Sequence, residues 1–452
     1  MMSHRSRREA RGVAGDITST AAALLLTMLL GAIAIVVNAS MIGRVQPSAL
    51  YVLALFLPLS QIVAAVHEGL RVVCLRYIAC ASSTGARELI GPQVLALLSL
   101  ALTLIALLAL GVLAAQGWIA EVFSVPLARR AQVLAFAMEM LGASVVIGWA
   151  TLLVSALFGL GHTRAATALS SLATTLNVVV AALAIKVWGM GMNGLVLAAV
   201  AGSASACAGA VALLRWRGIS LQLGQTPRWL GLALRDASTS GAPVALSLLL
   251  LSVYLFAFGH MVARYGAAEI AGFGVAMRIQ FFIFLPAIAL GTGTALCANR
   301  STVTSRRALR VGLVLSLIAY VLLSATLFTA RSGLLELFTS DQAVADATLR
   351  YLERVAPSYL GFGPALTVLT ALEQSGHAGS VLVLNATLYA LEICAACWWG
   401  VGRADAQVLY MVAAGGNWLA GILALGTVAL WPRVSAASAL TFGALGDSRE
   451  AR

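Results

Sequence analysis

Apolar residues run along this chain in blocks of about 20 or more, the length a helix needs to cross a lipid bilayer. Short stretches rich in Gly, Pro and charged residues separate the blocks. The blocks are long and unbroken rather than alternating, which excludes a β-barrel and predicts membrane-crossing helices. Cutting at the polar interruptions gives twelve spans. The first six cover about residues 17–42, 48–77, 90–116, 131–157, 164–187 and 193–214. The second six cover about 239–264, 268–296, 309–330, 347–373, 378–400 and 406–431. The longest interruption, 215–238, holds Arg215, Arg217, Arg228 and Arg235 and falls midway. The predicted architecture is an all-α integral membrane protein. It has a basic N-terminal segment (1–16), a first lobe (17–214), an inter-lobe loop (215–238), a second lobe (239–431) and a C-terminal tail (432–452).

Composition removes the alternatives. Hydrophobic residues make up 61% of the 452 residues, charged residues only 10%, and mean hydropathy is +0.95. Soluble domains carry roughly a quarter charged residues, so a soluble enzyme, a secreted module and a disordered chain are excluded. The net charge of +12 does not point to nucleic acid. All basic residues except Lys186 are Arg, and loops on the side of the N-terminus hold about twice as many as loops on the other side. That bias predicts both termini in the cytoplasm of a bacterial-type inner membrane. The first apolar run reaches about residue 42, too long for a signal-peptide core. The six Cys are scattered through apolar runs, and the Cys394-x-x-Cys397 pair lacks further ligands, so no metal site is expected. No phosphate-binding loop, zinc-protease motif or serine-hydrolase elbow occurs. A transporter is expected, not an enzyme.

The halves look related. Met41-Ile42-Gly43-Arg44 ends span one and Met261-Val262-Ala263-Arg264 ends span seven. Gly161-His162 follows span four and Gly376-His377 follows span ten. Trp118–Arg130 and Leu334–Leu349 both mix apolar and charged residues, as interfacial helices do. Parallel repeats of this kind build transporters whose substrate site lies between the halves.

Two segments then point to a family. Leu157–Ile185, reading LFGLGHTRAATALSSLATTLNVVVAALAI, resembles the loop and fifth helix of the multidrug and toxic compound extrusion (MATE) family. Gly241–Pro243 with residues 260–293, including Arg278-Ile279 and Leu285-Pro286, resembles that family's seventh and eighth helices. The resemblance covers about residues 17 to 431. It implies a monomeric, V-shaped, two-lobed secondary exporter that exchanges substrate for H⁺ or Na⁺. The chain departs from the family at the positions credited with cation coupling. Asn38 stands where the first helix often has Asp, and Ala181 where the fifth has Asp, although Asn177 is kept. Leu251 and Phe362 fall where the seventh and tenth helices carry acidic residues in some members. Asn cannot titrate, so coupling requires other groups.

Ionisable residues within spans are costly and are functional candidates by default. Glu139 in span four binds a proton or a cationic substrate if it faces a cleft, and headgroup water if it does not. Glu392 near the middle of span eleven is a proton-carrier candidate, the alternative being a pair with Arg278 on another helix. Glu68 and Arg71 are three apart on one helix and are expected as a structural or gating ion pair. His260 near the outer end of span seven is a pH-sensing candidate, the alternative being a hydrogen-bonded interfacial residue. Arg278 and Gln280 of span eight are further substrate-site candidates, and Glu373 reads as a solvated loop-end residue. Tyr51, Phe56, Tyr254, Phe256, Phe281, Phe282 and Tyr389 offer aromatic cleft walls suited to organic cations.

The reading that follows is a MATE-type exporter of a small organic compound, with H⁺ favoured over Na⁺ and no other cofactor. Glu139 and Glu392 are its candidate carriers, with Asn38 and Asn177 as polar remnants. Its expected partners are the substrate and membrane lipid, with no nucleic acid. The alternatives are export of an anionic metabolite or siderophore drawn by Arg278 and Arg71, a lipid-linked precursor flippase of the same superfamily, and a non-transporting receptor or scaffold.

Overall fold

A computed structural model describes residues 4–122, 127–219, 226–300, 305–336, 341–400 and 405–430. Among them every regular element is helical. Lipid offers no hydrogen bonds to the backbone, and helices satisfy theirs internally. The first half comprises α1 (His4–Val45), α2 (Pro47–Thr84), α3 (Ile90–Ala114), α4 (Gln116–Val122), α5 (Leu127–Gly159), α6 (Thr163–Lys186) and α7 (Asn193–Trp216). A short helix, α8 (Thr226–Asp236), leads into the second half. That half comprises α9 (Ala242–Ala263), α10 (Ala267–Arg300), α11 (Ser305–Glu336), α12 (Gln342–Val355), α13 (Tyr359–Leu372), α14 (Ala378–Gly400) and α15 (Gln407–Leu430).

Ten segments among the described residues are long and apolar enough to cross a membrane. One of them, Gln342–Gly400, is broken at Gly376, where φ is 94°, and holds two passes. Helix α2, at 38 residues, corresponds to the expected second span but is not among these ten segments. Two local details differ from expectation. Helix α1 begins at His4, inside the segment read as a basic tail. Span ten is two helices, because Pro357 interrupts the chain between α12 and α13. Helix α12 is capped by Asp341, whose carboxylate accepts from the backbone N–H of Ala343 (2.9 Å) and Val344 (3.4 Å). The expected tail 432–452 lies outside the described residues.

The helices pair in the same way in both halves. In the first, α1 packs on α6, α2 on α5, and α7 on both α5 and α6. In the second, α9 packs on α14, α10 on α13, and α15 on both α13 and α14. Contacts between halves are reciprocal, α1 against α10 and α2 against α9. This is the parallel six-plus-six repeat suggested by the paired motifs.

The cores show where the halves meet. One apolar cluster belongs to the first half alone and includes Ile42, Val52, Phe136 and Ile185. Another belongs to the second half alone and includes Phe258, Phe273, Tyr320, Tyr351 and Tyr410. A third joins Ile17, Ala21 and Leu24 of α1 and Val73 of α2 to Ala289, Leu290 and Leu296 of α10. The halves are thus fused at the end where α1 starts and α10 finishes. Glycines allow the approach. A Cβ on Gly69 would meet the carbonyl oxygen of Gly241 at 2.5 Å, and one on Gly293 would meet that of Ile17 at 2.9 Å. Large apolar side chains such as Phe256 (80% exposed) and Trp398 (85%) point away from the protein, as a lipid-facing surface requires.

Candidate functional site

In the first half, α1 and α6 bring Asn38 and Asn177 together. Asn38 Nδ2 donates to Asn177 Oδ1 at 2.7 Å. Gly202 of α7 lets that helix close over the pair, since a Cβ there would lie 3.0 Å from Asn177 Cβ. Asn38 Oδ1 is buried and has no hydrogen-bond partner among the described residues. Two neutral amides therefore occupy the place where a carboxylate was expected from the resemblance, and Ala181, one turn on, is fully buried.

In the second half, Glu392 of α14 accepts a 2.5 Å hydrogen bond from the Tyr254 hydroxyl of α9. Tyr254 stacks on Tyr389, with ring centroids 4.8 Å apart. Gly416 of α15 makes the room, because a Cβ there would overlap the Glu392 carboxylate. No ion pair to Glu392 occurs among the described residues. The alternative pairing with Arg278 is not what forms, since Arg278 stands exposed on α10. A layer of tyrosines lies in the same half. Tyr351 and Tyr359 donate to Gln280 Oε1 at 2.8 and 3.3 Å. Tyr410 donates to Glu269 Oε2 at 2.9 Å, and Glu269 pairs with Arg350. Sequence reasoning picked out Gln280 and Glu392, and Tyr254 as a cleft aromatic, but not the Tyr254–Glu392 bond, nor Tyr351, Tyr359 or Glu269. Tyr254 is 138 positions from Glu392, and no local pattern relates them.

At the fused end, Glu68 and Arg71 form the expected pair, with Arg71 Nε 2.7 Å from Glu68 Oε2 and a second N–H bond to Oε1. Arg71 is buried, so its guanidinium is committed to this partner. Glu373 corrects the sequence reading. It is half-buried rather than solvated, in the turn Glu373–His377 that packs on α2 of the other half. Helices from both halves cover it, which its position at the end of an apolar run could not reveal.

The remaining candidates stand apart. Glu139 is exposed on α5, and among the described residues it makes no hydrogen bond or ion pair. His260 is exposed near the end of α9. Phe56 meets Phe136 edge-on at 5.5 Å, and Phe281 meets Phe282 at 6.1 Å. The Tyr51 side chain lies outside the described residues. Cys394 and Cys397 are exposed, and among the described residues no group of three or more His, Cys, Asp or Glu could hold a metal.

Comparison with known proteins agrees with this architecture. The sequence model of the MatE family matches residues 243–398. A crystal structure of the Vibrio cholerae MATE transporter VcmN superposes with a TM-score of 0.86 at 18% identity, covering 93% of this chain and 97% of that one. A MOP-superfamily transporter from Pyrococcus furiosus, described as having a binding pocket of reverse polarity, superposes with a TM-score of 0.79 at 17% identity. It covers 92% of this chain and 95% of that one. At these identities the structures establish the fold. A Bacillus subtilis protein named "Probable multidrug resistance protein YoeA" is 26% identical over 141 residues. The match spans 30% of either chain, so it covers less than a third of that relative's length.

Proposed function

We propose that this chain is a MATE-type transporter rather than an enzyme, supported by the MatE match over residues 243–398 and the fold shared with solved MATE proteins, and that it exports a small organic compound in exchange for H⁺, with Glu392 as the proton carrier. The observation that carries the reading is the setting of Glu392. A carboxylate within an apolar span is retained at a cost unless it works, and this one has a tyrosine hydroxyl as its partner rather than a cation. The stacked Tyr254 and Tyr389 rings beside it present π faces that attract organic cations. The name of the B. subtilis relative supports the substrate class. Protonated Glu392 and bound cation would exclude one another, which is what exchange requires. Arg71, bound to Glu68, is not available to draw an anionic substrate. The Arg bias supports an orientation with both termini cytoplasmic, as in a bacterial-type inner membrane. Fusion of the halves at the cytoplasmic end then corresponds to an outward-open state of an alternating-access cycle.

The test uses everted vesicles with an imposed pH gradient and a panel of organic cations and anions. Dissipation that depends on one compound and disappears in Glu392→Gln is the expected result. Equal dissipation by Glu392→Gln and the parent would remove Glu392 from the mechanism. Dissipation driven by anions alone would overturn the substrate class.

A further inference from the structure

Helices α5 and α7 end at the same surface of the first half, and both stop in the same way. The N–H of Gly161 donates to the Phe158 carbonyl at 3.0 Å and that of His162 to the Leu157 carbonyl at 2.9 Å, with Gly161 at φ 89°. At the end of α7 the N–H of Gly218 donates to Arg215 at 2.9 Å and that of Ile219 to Leu214 at 3.0 Å, with Gly218 at φ 77°. Each helix thus satisfies its own last carbonyls. Helix α6 starts directly after the first of these turns. Its first turn faces the end of α7 across a cavity of about 320 Å³. Leu157 and Leu213 line the cavity with apolar surface, and Thr163 and Arg164 of α6 and Arg217 of α7 supply polar wall.

No opposite charge answers the two guanidinium groups. No acidic residue lines the cavity, and between Glu139 and Asp236 the sequence contains none. Among the described residues Arg164 and Arg217 form no ion pair or hydrogen bond, and Arg217 rests 5.2 Å from the ring centroid of Trp216. Because α7 closes its own carbonyls, Arg217 is not consumed as a cap. Two like charges on one cavity repel, and an anion between them relieves that repulsion. The level of the cavity points to the source of the anion. Trp216, 78% exposed, ends the apolar stretch of α7, and such rings sit in the headgroup layer. Leu157 and Leu213 each lie one turn inside their helix ends, so the cavity is apolar toward the bilayer core and cationic toward water.

We propose that this cavity binds the phosphate of an anionic phospholipid from the leaflet on the side of the N-terminus. Arg164 and Arg217 clasp the phosphate from two helices, the Thr163 hydroxyl donates to it, and the glycerol end of the chains lies on Leu157 and Leu213. Basic pockets between membrane helices recognise headgroups in this way. The bound lipid bridges the ends of α6 and α7 and so holds the first half together. The site is distinct from Glu392 and does not depend on the exchange reaction proposed above.

The experiment follows the thermal midpoint of the purified full-length protein in detergent during titration with phosphatidylglycerol, phosphatidylcholine or glycerol 3-phosphate. Each variant is compared with its own lipid-free midpoint, so a loss of intrinsic stability does not mimic lost binding. Phosphatidylglycerol should raise the parent's midpoint more than phosphatidylcholine does. Arg164→Gln/Arg217→Gln should need about tenfold or more phosphatidylglycerol for the same shift. Ala165→Phe keeps both charges but fills the cavity, and should lose the response. Arg215→Gln/Arg235→Gln removes the same charge from exposed positions outside the cavity wall, and should respond as the parent does. Equal responses of the parent to the two lipids, or an undiminished response in Arg164→Gln/Arg217→Gln, would overturn the proposal. So would an equal loss in Arg215→Gln/Arg235→Gln, which would reveal diffuse attraction instead of a site. Glycerol 3-phosphate matching the lipid would keep a phosphate site and overturn the lipid as its source.

Discussion

The single bond between Glu392 and Tyr254 is where residue-level chemistry is most exposed to test. A hydrogen bond to a charged group contributes about 1.5–3 kcal/mol. Tyr254→Phe removes only the hydroxyl and keeps the ring stacked on Tyr389. We expect exchange to fall by about tenfold or more, since about 1.4 kcal/mol is a factor of ten, while folded yield is preserved. Unchanged rates in reconstituted vesicles would take Tyr254 out of the site. At this scale legibility in the sequence followed distance along the chain. Glu68 and Arg71, three apart on one helix, could be paired by inspection. Asn38 and Asn177 could be linked only through the family resemblance, and the bond between them agrees with that link. Glu392 could be singled out for its burial cost, but its partner 138 positions away could not.

Among the elements, one close backbone approach is between α2 and the turn that leads into α9. Gly69 and Gly241 face each other backbone to backbone, each in the space a side chain would need. Gly69→Leu should push the helices apart and cost about 1–3 kcal/mol, the usual range for overpacking. A lower thermal midpoint for the purified protein in detergent is the expected reading, and an unchanged midpoint would mean the crossing is loose. Apolar run length revealed the spans themselves, because a bilayer fixes how long a helix must be. It could not reveal the break at Pro357, since both flanking helices remain apolar on one side. Nor could it reveal the burial of Glu373, which depends on α2 arriving from the other half.

For the molecule as a whole, the reciprocal pairing of helices explains why short paired motifs were enough to suggest a repeat. Each half is built on the same set of neighbours, so the same loops recur at the same turns. Reporter fusions at the two ends should both read as cytoplasmic, because the even span count and the Arg bias act together. Opposite readings would mean that one helix does not cross. The short helix between the halves carries a further consequence. Helix α8 lies on α3, and Tyr77 of α2 donates to the Leu232 carbonyl at 3.2 Å and also bonds Asp236. The connector is therefore stitched to the first half for most of its length. The five-residue turn Ala237–Gly241 that follows is held to α2 as well, through Gly69 against Gly241 and Arg76 to Ser240. A protease nick ahead of α8 should leave the severed pieces travelling together through purification, since α8 would stay moored to α3 while joined to everything that follows it.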